Sequence, residues 1–204
     1  MEIKNLPEKY KELWEKCLPI LQKGRPGDDS HAIEVAEFII NSGNKNIDLD
    51  VLIPVAIMHD IGHSGILPEH FKYITGGERL VNAKLVHMLV GAKIAKKILD
   101  SINYDKDKIA EIIDMISIHD ADQLEGANAS EIFNTNNKRI FHDIDCMDRY
   151  NLERMKKMEK LFPDKNKMFE MLEKNLDAFF DPSLKEVAKN KLEEIKKQML
   201  PENE

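Results

Sequence analysis

Val55-Ala56-Ile57-Met58-His59-Asp60-Ile61-Gly62-His63 is an apolar run that ends abruptly in titratable side chains. A His-Asp doublet at the mouth of such a run is costly to bury unless something pairs with it, and a metal ion would do so. Just upstream, Asp48 is placed to cap a helix that sets Leu52, Val55, Ala56 and His59 on one face. Pro54 reads as a tolerated bend or as the sign of a later start, and the helix is expected to end at Gly62.

Outward from this stretch the apolar spacing stays helical rather than alternating, and Lys, Glu, Leu, Ile and Ala abound, which predicts an all-α protein. On the N-terminal side, Pro7 opens a helix carrying Leu13, Trp14, Cys17, Leu18 and Leu21, broken by Gly24-Arg25-Pro26-Gly27. Asp29 or Ser30 can cap the next, in which His31, Val35, Phe38 and Ile39 share an inward face that ends near Gly43.

On the C-terminal side, a long connection from Ser64 to about Asn82 has the length of a lid or substrate-binding segment. Residues 84–101 follow as a helix with His87, Gly91, Ile94 and Ile98 on one stripe, Gly91 leaving room for something bulky. A helix from about Asp105 to Asp120 ends its apolar row, Ile109, Ile112 and Ile116, in His119. After a loop over 121–137, a helix from about Lys138 turns Phe141, Ile144, Asp145, Asp148 and Leu152 inward. Lys/Glu-rich amphipathic helices over roughly 165–180 and 183–199 form a C-terminal extension that packs on the domain or serves an oligomer contact. The domain plan is therefore a helical domain over 1–160 and an extension over 161–204.

The 204 residues suffice for a substantial core, and 37 acidic against 30 basic residues give a net charge of -7, which argues against a nucleic-acid footprint. Cys17 and Cys146 form no CxxC pair, so neither a disulfide framework nor a zinc ribbon is indicated. No apolar stretch approaches the roughly 20 residues of a bilayer span, and the start is unlike a signal peptide. A cytoplasmic protein with no membrane partner is expected.

The inward titratable residues are His31, His59, Asp60, His87, His119 and either Asp145 or Asp148. Imidazoles with carboxylates suit borderline transition metals, and six ligands exceed what one ion with open positions needs. Two ions with Asp60 bridging them would hold a deprotonated water between them and orient a phosphoryl group. The competing reading of each residue is plain: a satisfied core histidine, an Asp145–Arg149 ion pair, helix-end roles for Asp120 and Asp122, and exposure for His70 and His142.

These residues resemble the HD-domain superfamily of metal-dependent phosphohydrolases, in which a His, a later His-Asp doublet and a distal Asp come from a helical bundle. His59-Asp60-Ile61-Gly62 is similar to the family's doublet and turn, and Lys138 to Asp148 resembles its final helix with Asp145 at the metal-binding position. His87-Met88-Leu89-Val90-Gly91-Ala92 is similar to the added segment of the two-metal branch, whose fourth histidine His119 fits. The resemblance covers about residues 30–150. It implies one site of His31, His59, Asp60 and Asp145, and a second of Asp60, His87 and His119. The branch that cleaves cyclic dinucleotides carries Gly-Tyr-Pro and a Lys where this chain has His63, so that activity is not implied.

The function expected is hydrolysis of a phosphomonoester or phosphodiester in a small metabolite or nucleotide by metal-bound hydroxide, with iron, manganese, zinc or nickel as the ions. Asp60 and His63 are the catalytic candidates, His63 and Arg79 the substrate-binding ones. An HD-type di-iron oxygenase and a non-catalytic ligand-binding module are the alternatives.

Overall fold

The computed structural model describes residues 1–44, 46–66, 78–159 and 164–200, with the side chains of 78–82, 157 and 158 left aside. Among the described residues the regular structure is entirely helical, and no helix is long and apolar enough to cross a membrane. The chain packs as two compact units, Met1–Lys138 and Arg139–Glu204.

The first unit is built around helix α3, Leu49–Met58, following α1, Lys11–Leu21, and α2, Asp28–Asn41. Every residue of α3 from Val51 to Met58 is buried, so this helix is apolar all round rather than on the single face its spacing suggested, as expected of a central element. Asp48 caps it by accepting from the Asp50 backbone N–H at 3.0 Å. Pro54 lies inside the helix and cannot donate to the carbonyl four residues back. That carbonyl, of Asp50, accepts instead from the Tyr104 hydroxyl at 2.7 Å, so it keeps a partner although the helix continues through its proline.

Helix α3 stops at Met58, four residues short of Gly62, and a 3-10 turn spans Ile61–Gly65. The turn packs against α4, Glu78–Ser101, while α5, Lys106–Ile118, lies against both α3 and α4. Helix α4 begins before the expected residue 84, and 67–77 of the expected lid lie outside the described residues, His70 among them. Gly91 does not leave space for a ligand. A side chain there would meet the backbone N of Gly62 at 3.3 Å and the carbonyl of His59 at 3.5 Å, so this glycine admits main chain.

A 3-10 turn over Ala121–Gln123 and the short helix α6, Ala129–Ile132, punctuate the expected loop, and α7, Asn136–Cys146, carries the chain into the second unit. There α8, Leu152–Glu159, α9, Lys165–Asn175, and α10, Pro182–Met199, enclose a core that includes Tyr150, Met155, Leu172 and Leu192. His142 is buried, not exposed: its Nδ1 lies 3.0 Å from an oxygen of the fully buried Asp143, whose carboxylate also accepts from the backbone N–H groups of Phe180 and Asp181. A buried carboxylate with that many donors ties the start of α10 to α7.

Candidate metal centre

Three histidines reach the centre by one local device. His59 and His119 each follow the last residue of their helix, and their Nδ1 atoms lie 3.1 Å from the Ala56 carbonyl and 2.8 Å from the Ile116 carbonyl. His87, inside α4, sets its Nδ1 3.4 Å from the Ala83 carbonyl. With Nδ1–H donating to the main chain, the lone pair of each neutral ring is at Nε2, and the ring is held for ligation there.

Those Nε2 atoms converge on Asp60, which is 6% exposed. Its two oxygens divide the cluster. Oδ2 is 3.7 Å from His59 Nε2, and the His31 ring, on α2, stands edge-on to His59 with centroids 5.0 Å apart. Oδ1 is 3.7 Å from His87 Nε2, 3.6 Å from His119 Nε2 and 3.3 Å from His63 Nε2. Potential ligand atoms gather accordingly as His31, His59 and Asp60, as Asp60, His63 and His87, and as His87, His119 and Asp120.

The donor set fits divalent ions. His87 Nε2 and His119 Nε2 face each other at 3.1 Å, an arrangement in which two lone pairs repel unless a cation or proton lies between them. Two ligands each about 2.1 Å from one ion stand roughly 3.0–3.4 Å apart at right or tetrahedral angles and about 3.7 Å apart near 120°, and these atoms span 3.1–3.7 Å. The 3.6–3.7 Å separations between Asp60 and the Nε2 atoms of His59, His87 and His119 are too long for direct hydrogen bonds and suit ligands that meet at a third atom.

Charge is arranged to match. Burial would raise the Asp60 carboxyl, but the facing His59, His119 and His63 imidazoles outweigh it and hold it well below the usual carboxylate range. Burial, reinforced by His119 and His63, pushes His87 down to about 3, leaving it neutral. At His119 burial also lowers the value, but the Asp60 carboxylate prevails and raises it, which favours a proton there in the metal-free centre. An ion must displace that proton, so affinity should rise with pH and fall as the medium turns acidic. Titration calorimetry in buffers of different ionisation heat should detect proton release at about pH 6.5, the ordinary imidazole value, where a group raised above it is more than half protonated. Heats that do not depend on the buffer there would contradict this assignment.

The remaining expected residues divide. His63 stands at the centre's edge, stacked on His87 with centroids 4.3 Å apart and planes 7° from parallel. Asp145 is on α7 in the second unit, and the Arg79 side chain lies outside the described residues. Two residues join that the sequence did not single out. Asp120, assigned a helix-end role, places Oδ2 3.8 Å from His87 Nε2. Arg25, in the turn treated as a helix breaker, donates from Nη2 to Asp60 Oδ2 at 2.7 Å and from Nε to Asp28 Oδ1 at 2.8 Å.

Asp28 is fully buried, and its other oxygen accepts the Arg25 backbone N–H at 2.9 Å. The turn closes through Gly27 at φ +101, where other residues are strained. Helix α2 therefore starts at Asp28, ahead of the expected caps Asp29 and Ser30. The Arg25/Asp28 spacing within a Gly-Pro turn just before His31 was the available signal for this clamp.

Helices that direct imidazoles and a shared carboxylate to one point define an all-α protein with a His/Asp-lined candidate metal centre. The HD domain family model matches residues 28–150, more than half of the chain, and the chain belongs to this family, and through it to a superfamily of metal-dependent hydrolases. The matched span holds His31, His59, Asp60, His87, His119 and Asp145, while Arg25 lies just ahead of it. No curated protein and no solved structure matches the chain.

Proposed function

We propose that the protein is a dinuclear phosphohydrolase that cleaves a phosphomonoester or phosphodiester in a small metabolite or nucleotide. The observation that carries this reading is the division of the Asp60 oxygens, Oδ2 towards His59 and Oδ1 towards His87 and His119. In this reading His31 and His59 hold a first ion, His87 and His119 a second, and Asp60 joins them. A pair of divalent ions supplies an acidified water as nucleophile and positive charge for the developing oxyanion.

The chain's own groups do the rest. Arg25, fixed at two points by Asp28, keeps a guanidinium beside the bridging carboxylate, where its remaining N–H groups can bind non-bridging phosphoryl oxygens. Burial works against its charge, but Asp60 and Asp28 outweigh burial and raise its pKa further. His63, within 3.3 Å of Asp60 Oδ1 and partly open to solvent, is placed to give a proton to the leaving oxygen. Arg79 is a further proposed phosphate contact.

The test is a screen of nucleotides, diesters and sugar phosphates for phosphate release without oxygen, set against oxygen consumption with organic substrates. Anaerobic turnover supports the hydrolase, and oxygen-dependent turnover alone would establish the oxygenase reading. Arg25→Ala should lower kcat/KM by about 10²–10³, the effect of removing one charge-stabilising donor. Its metal content should stay at the wild-type level, and unchanged kinetics would remove Arg25 from the substrate site.

A further inference from the structure

We infer that Asp120 is a protein ligand of the second ion, completing a set of Asp60, His87, His119 and Asp120. This rests on the reading of His87 and His119 as ligands and goes beyond it by adding a carboxylate from the turn after α5.

A carboxylate near a ligating histidine ordinarily supports the ring from behind, through the nitrogen that does not bind metal. That position is taken here, because both Nδ1 atoms lie against main-chain carbonyls. Asp120 is instead on the ligating side, with Oδ2 3.8 Å from His87 Nε2, beyond hydrogen-bond reach and a separation that two ligands about 2.1 Å from one ion reach at a wide angle of about 130°. His87, His119 and Asp120 offer ligand atoms that all lie within 4.8 Å of one another.

The side chain is also aimed. The Gln123 side-chain amide donates to Asp120 Oδ1, leaving Oδ2 to face inward, and Lys84 Nζ stands 3.7 Å from Oδ2 and offsets its charge. Position follows from sequence, since the residue after a helix-ending histidine comes off the same turn.

The second ion would then meet two imidazoles and two carboxylates, with Asp60 shared with the first. A second carboxylate makes the His87/His119 site harder and more anionic, which favours manganese or ferrous iron over softer ions.

The test titrates cobalt(II), as the probe ion, into metal-free wild type, Asp120→Asn and His119→Ala, reading stoichiometry by elemental analysis and ligand field by visible absorption. Asparagine keeps the acceptor for Gln123, and the side chain is 20% exposed, so the variant should fold; thermal melting of the metal-free forms verifies it. Two ions should bind wild type. Asp120→Asn should keep the first, bind the second about 100-fold more weakly or worse and alter its absorption, and His119→Ala should lose the second. Wild-type affinity and spectrum in Asp120→Asn, beside loss in His119→Ala, would overturn the inference while leaving the second site standing. Both ions retained in His119→Ala would overturn that site, and the role of Asp120 with it.

Discussion

Asp60→Ala should reduce the metal content from about two ions per chain to less than one and bring phosphate release down to background. The size of the effect follows from the division of the carboxylate. Oδ1 lies among the Nε2 atoms of His63, His87 and His119, and Oδ2 lies beside His59. Alanine therefore takes an anionic ligand from each proposed site at once, whereas loss of any one histidine reaches only one. It also removes the charge that holds Arg25 Nη2 at 2.7 Å, leaving that guanidinium to Asp28 alone. Elemental analysis after exhaustive dialysis, with turnover on the best substrate of the screen, measures both effects, and circular dichroism checks the helical fold. Full metal with full turnover in this variant would end the dinuclear assignment. One ion retained with no turnover would show that the sites fill independently and that cleavage needs both.

How much of this centre the sequence disclosed depends on how local each contact is. His59, His87 and His119 were legible because helical spacing puts each on an apolar row, and the hydrogen bond that orients each ring goes to a carbonyl of its own helix. Asp60 follows from His59 by adjacency. Arg25 was not legible because its partner Asp60 belongs to another element, and a Gly-Arg-Pro-Gly turn reads as punctuation until that partner is in place. Pro54 is a similar case. Its effect on α3 depends on the Tyr104 hydroxyl reaching the carbonyl it frees, a contact from beyond α4. The burial of His142 is not legible in the sequence because its surroundings, Asp143 with Phe180 and Asp181, are assembled by the C-terminal helices, whose own pattern shows only an amphipathic face. Asp120 had the opposite difficulty. Its position at a helix end is read correctly from sequence, but the same position also serves the centre.

The packing that keeps the two halves of the centre in register should make Gly62→Ala far more damaging than its single methyl suggests. A Cβ at Gly62 would lie 1.9 Å from the His87 carbonyl oxygen, 2.6 Å from the Gly91 nitrogen and 2.8 Å from the His87 carbonyl carbon. All three are main-chain atoms of α4, so no rotamer change relieves the clash, and the turn carrying Ile61–Gly65 must move away from the helix. His87 would withdraw from Asp60 and His119 with it. Forced backbone displacement in a packed core costs several kcal/mol, about 3–5 here. For a chain of this length that lowers Tm by about 10 °C or more, with weaker binding of the second ion. Gly91→Ala is the control, because the same two segments touch there more loosely. Its Cβ would meet Gly62 N at 3.3 Å and Ile116 Cγ2 at 3.4 Å, a crowding that small shifts can absorb, while alanine gains up to about 1 kcal/mol over glycine in a helix interior. Differential scanning calorimetry of the two metal-free variants should separate them widely, with Gly91→Ala close to wild type. Equal melting temperatures would mean that the turn and α4 are not in the close main-chain contact that places His87 opposite Asp60.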